Sequence, residues 1–314
     1  MQTVVTENPI LAAEILRTGG LVAFPTETVY GLGAKALDET AVKRIFEVKH
    51  RPQDNPLIIH IYDLSQINEL IEGFPENAQK LCERFMPGPL TVVLNCSKVV
   101  PKEVTAGGNT VGIRIPKNET ARKFLRAANV PVAAPSANLS GKPSPTTYQA
   151  VLEDLDGAIE CVLKAEASEL GLESTVVDCT TTPFTLLRQG AIPIEELQEV
   201  VDEIVTLDEA SSGLARSPGL KHKHYSPQAK VRLIDFPHQI PDLPGSAYIG
   251  LTMPNVRFSK SYIAADLEDY ARCLYEFFRE CDRQSIQIIF CQTVPRKGIG
   301  ATIMDRLARA ARGS

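Results

Sequence analysis

LVAFPTETVYGLG, residues 21–33, places a short apolar strand directly before a polar segment that contains two glycines. The apolar positions of residues 8–18 recur at helical spacing, and the predicted helix ends at a Gly-Gly pair just before the strand. After the polar segment, Asp38 is the predicted N-cap of a helix that runs to about residue 50. A buried strand between two helices is typical of an α/β protein.

The same alternation continues to about residue 205. Further strands are predicted at 57–61, 90–95, 111–115, 130–134, 174–178 and 184–188, and further helices at 76–86, 119–128 and 146–155. This part of the chain shows no internal repeat. The sequence therefore predicts an α/β fold, with a twisted mixed sheet that carries helices on its faces.

The pattern changes after Val205. Residues 206–230 hold no sustained periodicity, which favours a linker or an ordered loop. Regular patterns then resume, with strands predicted at 231–235, 246–250 and 286–290, an amphipathic helix over 267–281 and a last helix over 299–312. We therefore expect a large domain over 1–205, a connecting segment over 206–230, and a smaller, Rossmann-like α/β domain over 231–314.

Composition excludes several classes of protein. Of 314 residues, 44% are hydrophobic and 23% are charged, which is too apolar for wholesale disorder. The net charge of −5 argues against a broad non-specific binder of nucleic acid or of an anionic membrane. No apolar run approaches a membrane span, and the first sixteen residues lack the positive region of a secretory signal.

The seven cysteines are scattered and never form a C-x-x-C pair. This spacing argues against a disulfide framework and against a structural zinc site. Several of the cysteines lie in apolar runs, which is typical of buried, reduced thiols. We therefore expect a cytoplasmic protein.

Gly31-x-Gly33-x-x-Ala36 resembles a dinucleotide-binding fingerprint, but its surroundings do not fit one. Six residues separate the strand from Gly31, and the acidic residue about twenty positions on, Asp54, does not end a strand. The chain has no Walker A motif either. Any nucleotide must therefore be held in another way.

Lys49 and Arg51 lie at the predicted end of the second helix, before two prolines and Asn55. Cations at that position interact favourably with the helix dipole, and this alone explains them. The prolines also hold both cations beside one strand, an arrangement that suits a polyphosphate. We expect both side chains to lie outside the core.

His60 and Arg114 each interrupt an apolar strand. If Leu57 and its alternate neighbours point into the core, His60 points the other way, together with Ile58. His60 is then either a satisfied core histidine or part of a site. Arg114 needs an anion, which is either a structural carboxylate or the carboxylate of a substrate.

Ser136, Asn138 and Ser144 follow the strand at 130–134, and Ser174 opens the strand at 174–178. Turn formation and helix capping explain such residues, although they also suit a ribose or a phosphate. Ser174 without a His–Asp pair in its sequence context is weak support for a nucleophile.

Taken together, the motifs resemble one known family. They are PTETVYGLG (25–33), K-x-R-P-x-x-N-P (49–56), VGIRIP (111–116), APSAN-x-S-G (134–141) and ESTVVD (173–178). In this order they resemble the YrdC-like domains of threonylcarbamoyl-AMP synthases. SPGLKHKHYSP (217–227), followed by a small α/β domain, resembles the longer, two-domain form of that enzyme.

The resemblance implies a reaction of L-threonine, bicarbonate and ATP that yields threonylcarbamoyl-AMP and pyrophosphate, which makes the enzyme a nucleotidyltransferase. The product feeds the tRNA threonylcarbamoyl-transfer machinery. Mg²⁺ is the implied cofactor, carried by the ATP phosphates and not by protein ligands. The catalytic residues it implies are Lys49 and Arg51. The implied ATP site comprises Arg51, Asn55, Thr110, Ser136, Asn138, Ser144, Arg188 and Tyr225. The implied threonine site comprises Thr28, His60, Arg114, Ala134 and Ser174.

In the long form, the segment over 206–230 lies over the active site, so the resemblance implies a lid with Tyr225 against the nucleotide. An alternative is a non-catalytic RNA-binding protein that uses a basic concave face, and weak RNA binding also fits the enzyme. The net charge, the absence of Trp and the lack of aromatic residues interleaved with basic ones argue against that alternative. A regulatory protein that closes on a nucleotide is a third reading.

Overall fold

The computed structural model describes residues 2–206, 225–241 and 243–313, and its first sheet lies within residues 2–206. The strands of this sheet are β1 (Val4–Thr6), β2 (Val22–Phe24), β3 (Gly31–Lys35), β4 (Ile58–His60), β5 (Leu90–Asn95), β6 (Thr110–Arg114), β7 (Val132–Ala134), β8 (Cys161–Leu163), β9 (Thr175–Asp178), β10 (Phe184–Arg188) and β11 (Ile204–Thr206). Their order is β1-β8-β2-β3-β7-β4-β6-β5-β9-β10-β11. Parallel and antiparallel pairs both occur, which confirms the predicted mixed sheet.

Helices cover this sheet. They are α1 (Pro9–Arg17), α2 (Glu39–Lys49), α3 (Glu76–Phe85), α4 (Lys102–Thr105), α5 (Glu119–Ala128), α6 (Tyr148–Leu155) and α7 (Ile194–Gln198), with a 3-10 helix at Leu64–Glu69. Asp38 caps α2 as predicted, since its side chain accepts a hydrogen bond from the backbone N–H of Ala41. Helix α2 ends at His50, whose φ of 50° turns the chain toward Arg51.

The second sheet lies between residues 230 and 292. Its strands β12 (Lys230–Ile234), β13 (Ser246–Gly250), β14 (Lys260–Ile263) and β15 (Ile288–Gln292) lie in the order β12-β15-β13-β14, and all the pairs are parallel. Helices α8 (Leu267–Arg283) and α9 (Ile299–Gly313) accompany it, with a 3-10 helix at Pro237–Gln239. The predicted smaller α/β unit is therefore present.

The opening motif contains a strand that the sequence pattern did not predict. Gly31 and Gly33 belong to β3, which pairs antiparallel with β2. Neighbouring side chains explain both glycines, because a Cβ at Gly31 would lie 3.2 Å from the ring of Phe24, and one at Gly33 would lie 2.8 Å from Val132 and 3.0 Å from that ring. Glycine disfavours strands in general, and here the close aromatic contact requires it.

The short strands β1, β8, β11 and β14 were not predicted. Each has only three or four residues, too few to show a period. Of the segment expected to connect the two units, residues 207–224 lie outside the described residues, so the lid expected there is not described.

The second unit contacts the first through α8 and α9. In α8, Arg279 donates from Nη2 to the backbone carbonyl of Pro143 over 2.6 Å and to Asp154 over 2.8 Å. Arg283 pairs with Glu153 at 2.5 Å. Gly171 packs so closely on α8 that a Cβ there would lie 2.4 Å from the backbone oxygen of Arg272. These contacts bring α9 beside the end of β10.

Candidate active site

A cavity opens at the middle of the first sheet, where β4, β6 and β7 are neighbours. The pairing of β4 with β6 sets His60 opposite Arg114, and the pairing of β4 with β7 sets Ile58 opposite Ala134. The residues predicted for the site that line the cavity are Thr28, Arg51, His60, Arg114, Ala134, Ser136, Ser174, Arg188 and Tyr225. Tertiary structure therefore gathers residues that lie far apart in the sequence.

His60 points into this cavity with Ile58, while Leu57 and Ile59 belong to the core, as the strand pattern predicted. The imidazole is 4% exposed, and its Nδ1 has no hydrogen-bond partner among the described residues. Burial, with a further contribution from the positive charge of Arg114, lowers the pKa of His60 to about 3. His60 is therefore neutral at pH 7.

Arg114 has a structural carboxylate as its partner. Its Nη2 donates to Glu27 over 2.7 Å, and both side chains are almost completely buried. Glu27 also accepts hydrogen bonds from the backbone N–H groups of Lys117 and Asn118, over 3.0 and 3.4 Å. Of the two anions considered for Arg114, the structural one is present, and the guanidinium still lines the cavity.

Arg188, which also lines the cavity, holds Ser174 in place. Its Nε donates to the backbone carbonyl of Ser174 over 3.1 Å, and its Nη2 donates to the hydroxyl over 3.0 Å. The same hydroxyl lies 2.8 Å from that of Thr91. Ser174 is thus a fixed polar group and has no histidine base among these partners, which agrees with a site that needs no serine nucleophile.

Lys49 is not at the surface, contrary to expectation. It is 1% exposed, and its Nζ donates to the backbone carbonyls of Ser136 (2.6 Å) and Asn138. Asn138 adds a hydrogen bond from the Ser136 hydroxyl over 2.5 Å. Burial, followed by the charge of Arg51, lowers the pKa of Lys49 well below its usual value. The side-chain nitrogen of Lys49 thus supports the turn at residues 135–138 through two hydrogen bonds to its backbone.

Arg51 is also buried, at 8% exposure. Its Nε and Nη2 donate to the backbone carbonyls of Asn55 (3.1 Å) and Pro56 (3.0 Å). Burial lowers the pKa of Arg51 to about 9, which leaves it charged at pH 7. Both cations therefore lie within the packed interior. Lys49 is covered by the turn that follows β7, and Arg51 is covered by the segment that leads into β4.

Some predicted residues do not line the cavity. They are Lys49, Asn55, Thr110, Asn138 and Ser144. Thr110 begins β6, opposite Asn95, so it lies about 13 Å along the strand from Arg114. Ser144 is one step removed, because its hydroxyl donates over 2.7 Å to Glu173, which does line the cavity.

Several residues that line the cavity were not predicted from the sequence, namely Thr26, Val29, Tyr30, Gly31, Ile58, Pro135 and Glu173. Thr26 shapes the rim, since its hydroxyl donates to the carbonyl of Val29 over 2.6 Å and lies 2.8 Å from that of Thr28. Most of these residues belong to the quoted motifs, so the motif boundaries were the available signal.

The described residues contain no group of three or more His, Cys, Asp or Glu side chains placed to hold a metal ion. Among the described residues, no helix has the length and apolarity needed to cross a membrane.

The cavity combines guanidinium groups, a neutral imidazole and small hydroxyls. This set is suited to an anion and a small polar molecule.

Comparison with known proteins shows the family of the chain. Residues 14–190 match the Sua5/YciO/YrdC family described as "Telomere recombination", and residues 192–312 match the C-terminal domain of threonylcarbamoyl-AMP synthase. The chain belongs to the threonylcarbamoyl-AMP synthase family. It is 45% identical over 315 residues to threonylcarbamoyl-AMP synthase of Pyrococcus abyssi, with 96% of this chain and 93% of the relative covered.

Other members agree over the whole length. The threonylcarbamoyl-AMP synthase of Bacillus subtilis is 41% identical, with 98% of this chain and 94% of the relative covered. The crystal structure of P. abyssi Sua5 complexed with L-threonine superposes with a TM-score of 0.91 at 40% identity, covering 99% of this chain and 97% of that one. The family's two-part architecture therefore spans this chain.

Proposed function

We propose that this protein condenses L-threonine, bicarbonate and ATP to threonylcarbamoyl-AMP and pyrophosphate, and so acts as a nucleotidyltransferase. The observation that carries the proposal is one cavity lined by three guanidinium side chains and an imidazole, together with several hydroxyls: Arg51, Arg114, Arg188 and His60, with Thr28, Ser136 and Ser174. The crystal structure of the P. abyssi relative contains L-threonine, and that structure superposes on this chain over nearly the full length of both.

The chemistry requires no enzyme nucleophile. The threonine amine adds to the carbon of bicarbonate, with loss of water, and gives a carbamate. A carbamate oxygen attacks the α-phosphorus of ATP, the bond to the bridging oxygen breaks, and pyrophosphate leaves. Such a transfer depends on positioning and on stabilisation of negative charge, which buried guanidinium groups supply.

We assign threonine to the side of the cavity lined by Thr28, His60, Arg114, Ala134 and Ser174. The hydrogen bonds described for Arg114 come from Nε and Nη2, so we assign its Nη1 to the substrate carboxylate. The neutral imidazole of His60, which lines the cavity, is the group we assign to the threonine hydroxyl. These groups are held by the sheet, so little ordering is needed on binding.

We assign the ATP phosphates to Arg51 and Arg188, with the turn at Ser136 and Asn138 beside them. We assign Lys49 to hold that turn from below, through its hydrogen bonds to the backbone carbonyls of Ser136 and Asn138. Asn55, Thr110 and Ser144 remain proposed members of the ATP site, and Tyr225 lines the cavity from the second unit's side.

Mg²⁺ belongs in this proposal as the counterion of ATP. Glu173 is the carboxylate among the described lining residues, and its oxygens accept from Ser144, Tyr275 and Arg306. The protein side of the cavity therefore fits a metal held by phosphate oxygens better than one held by protein ligands. Mg²⁺ supplies neutralisation of the pyrophosphate leaving group when bound.

We further propose that 1–205 form the catalytic domain, that 206–230 form a lid, and that 231–314 anchor it. The family match divides the chain slightly earlier, between residues 190 and 192. We place the protein in the cytoplasm, where its product would pass to the tRNA threonylcarbamoyl-transfer machinery. Weak binding of RNA is compatible with these roles.

The decisive test is release of pyrophosphate from ATP. We expect release that requires both L-threonine and bicarbonate, with threonylcarbamoyl-AMP identified by mass spectrometry. Omission of either co-substrate is the internal control. Retention of RNA without ATP, together with no co-substrate-dependent pyrophosphate, would instead support the RNA-binding alternative and overturn the proposal.

A further inference from the structure

Arg306 of α9 is completely buried where the second unit meets the first. Its Nε donates over 2.8 Å to Glu173, and its Nη2 donates over 2.8 Å to the backbone carbonyl of Gln189. One turn earlier in α9, Thr302 donates over 2.7 Å to the carbonyl of Gly190. Helix α9 therefore forms hydrogen bonds to the two residues that directly follow Arg188.

Glu173 is the focus of these contacts. One carboxylate oxygen accepts from Ser144 over 2.7 Å, and the other accepts from Tyr275 over 2.9 Å as well as from Arg306. Glu173 lines the cavity that we assign to substrates. Burial raises the pKa of Glu173, but Arg306 and then Arg188 outweigh this, and the net pKa lies below its usual value.

An ionised carboxylate in that position opposes the binding of a polyphosphate. Like charges repel strongly in a poorly solvated cavity, and a buried charge without its partner is itself costly. Arg306 offsets both effects, because its guanidinium lies against the carboxylate. Arg306 belongs to α9 and therefore to the second unit. The charge balance of the cavity thus depends on the second unit.

Arg306 also contacts the aromatic pair at the cavity. Its guanidinium carbon lies 5.0 Å from the centre of the Tyr225 ring, and that ring stacks on Tyr275 with centroids 5.5 Å apart. Tyr225 lines the cavity, whereas Tyr275 belongs to α8. The same side chain therefore balances Glu173 and orients the ring of Tyr225.

We propose that Arg306 is a positioning residue for the ATP site: it neutralises Glu173 and holds Tyr225, so that the cavity accepts a polyphosphate only when the second unit is docked. The inference rests on the proposed function. It assigns to the C-terminal unit a direct electrostatic part in binding ATP, beyond anchoring a lid.

The test is a double-mutant cycle on binding of Mg·ATP, measured by calorimetry with the full chain. We expect Arg306→Met to weaken ATP binding at least tenfold in the wild-type background and less than threefold in the Glu173→Gln background. Binding of L-threonine should change by less than twofold in both, since the assigned threonine residues do not contact Arg306. An equal loss of ATP affinity in the two backgrounds overturns the inference.

Two further variants separate this role from folding and docking. Arg283→Ala removes an interface ion pair away from the cavity, so it should leave ATP affinity within twofold of wild type. Tyr275→Phe deletes only a hydroxyl donor to Glu173 and serves if Arg306→Met does not fold. We expect it to weaken ATP binding about threefold, with no loss in the Glu173→Gln background; a loss that persists there contradicts the proposal.

Turnover of the wild type distinguishes the two claims. Without pyrophosphate release that depends on threonine and bicarbonate, the proposed function fails, and the inference falls with it. With such release in the wild type, equal effects of Arg306→Met in the two backgrounds reject the role proposed for Arg306 and leave the proposed function in place.

Discussion

Replacing Glu27 by Gln tests the buried ion pair on which the threonine side of the cavity is built. Glu27 is 1% exposed and accepts hydrogen bonds from the Arg114 guanidinium and from the backbone N–H groups of Lys117 and Asn118. Glutamine keeps the size of the side chain and removes the negative charge. It also turns an NH₂ group toward partners that are all donors.

The expected loss of stability is large for a single isosteric change. Removing one partner of a buried ion pair costs about 3–5 kcal/mol, because the remaining charge is left uncompensated. For a unit of this size, about 2–4 °C of melting temperature corresponds to each kcal/mol. Glu27→Gln should therefore melt roughly 6–20 °C below the wild type.

The assay is thermal unfolding followed by circular dichroism, with and without saturating L-threonine. Threonine should raise the melting temperature of Glu27→Gln more than that of the wild type, because the ligand carboxylate restores an anion beside Arg114. Glu39→Gln is the matched control, since its exposed pair with Lys43 should leave the melting temperature unchanged. A melting temperature for Glu27→Gln within about 2 °C of wild type would refute the assigned importance of the pair.

Other consequences can be measured independently. Arg51→Met should lower turnover by about 10²–10³-fold, and also lower stability by about 1–3 kcal/mol as two buried carbonyls lose their donor; full turnover in a folded variant would contradict its role. Threonine should be preferred over serine by about 5–150-fold in kcat/KM, the worth of one methyl group in an apolar niche, and equal turnover would exclude such a niche. The unfolding free energy of the wild type should fall relative to His60→Gln by up to about 1.4 kcal/mol per pH unit below pH 6.5, because the unfolded chain takes up a proton there and the folded chain, with a His60 pKa of about 3, does not. Urea titrations at pH 7, 6 and 5 measure this difference, and parallel curves for the two proteins would argue against a buried neutral imidazole.

Regular elements with long apolar patterns were predictable. Helix α5 and strands β5, β10 and β13 have the predicted boundaries. The pattern at LIIHI also predicted correctly which face His60 occupies. Strand alternation carries this information locally, because neighbouring residues must point to opposite faces of a sheet.

The environment of the charged residues was not predictable in the same way. Lys49 and Arg51 resemble a solvated helix end in the sequence, yet the fold buries both. Lys49 contacts backbone carbonyls of a distant turn, and Arg51 contacts those of Asn55 and Pro56 in its own segment. The partner of Arg114 is Glu27, which lies far earlier in the chain. Which charges meet depends on strand order, and strand order is not visible in local spacing.

The amino-acid sequence by itself determined the α/β class, the division into a larger and a smaller unit, and the family, because periodicity and motif order are local properties of the chain. Only the tertiary structure decided the electrostatics of the site. Glu173, Arg306 and Tyr225 come from three distant segments and meet only after α9 docks on the end of β10. Their joint effect depends on distances and burial, since a charge acts through what surrounds it in space.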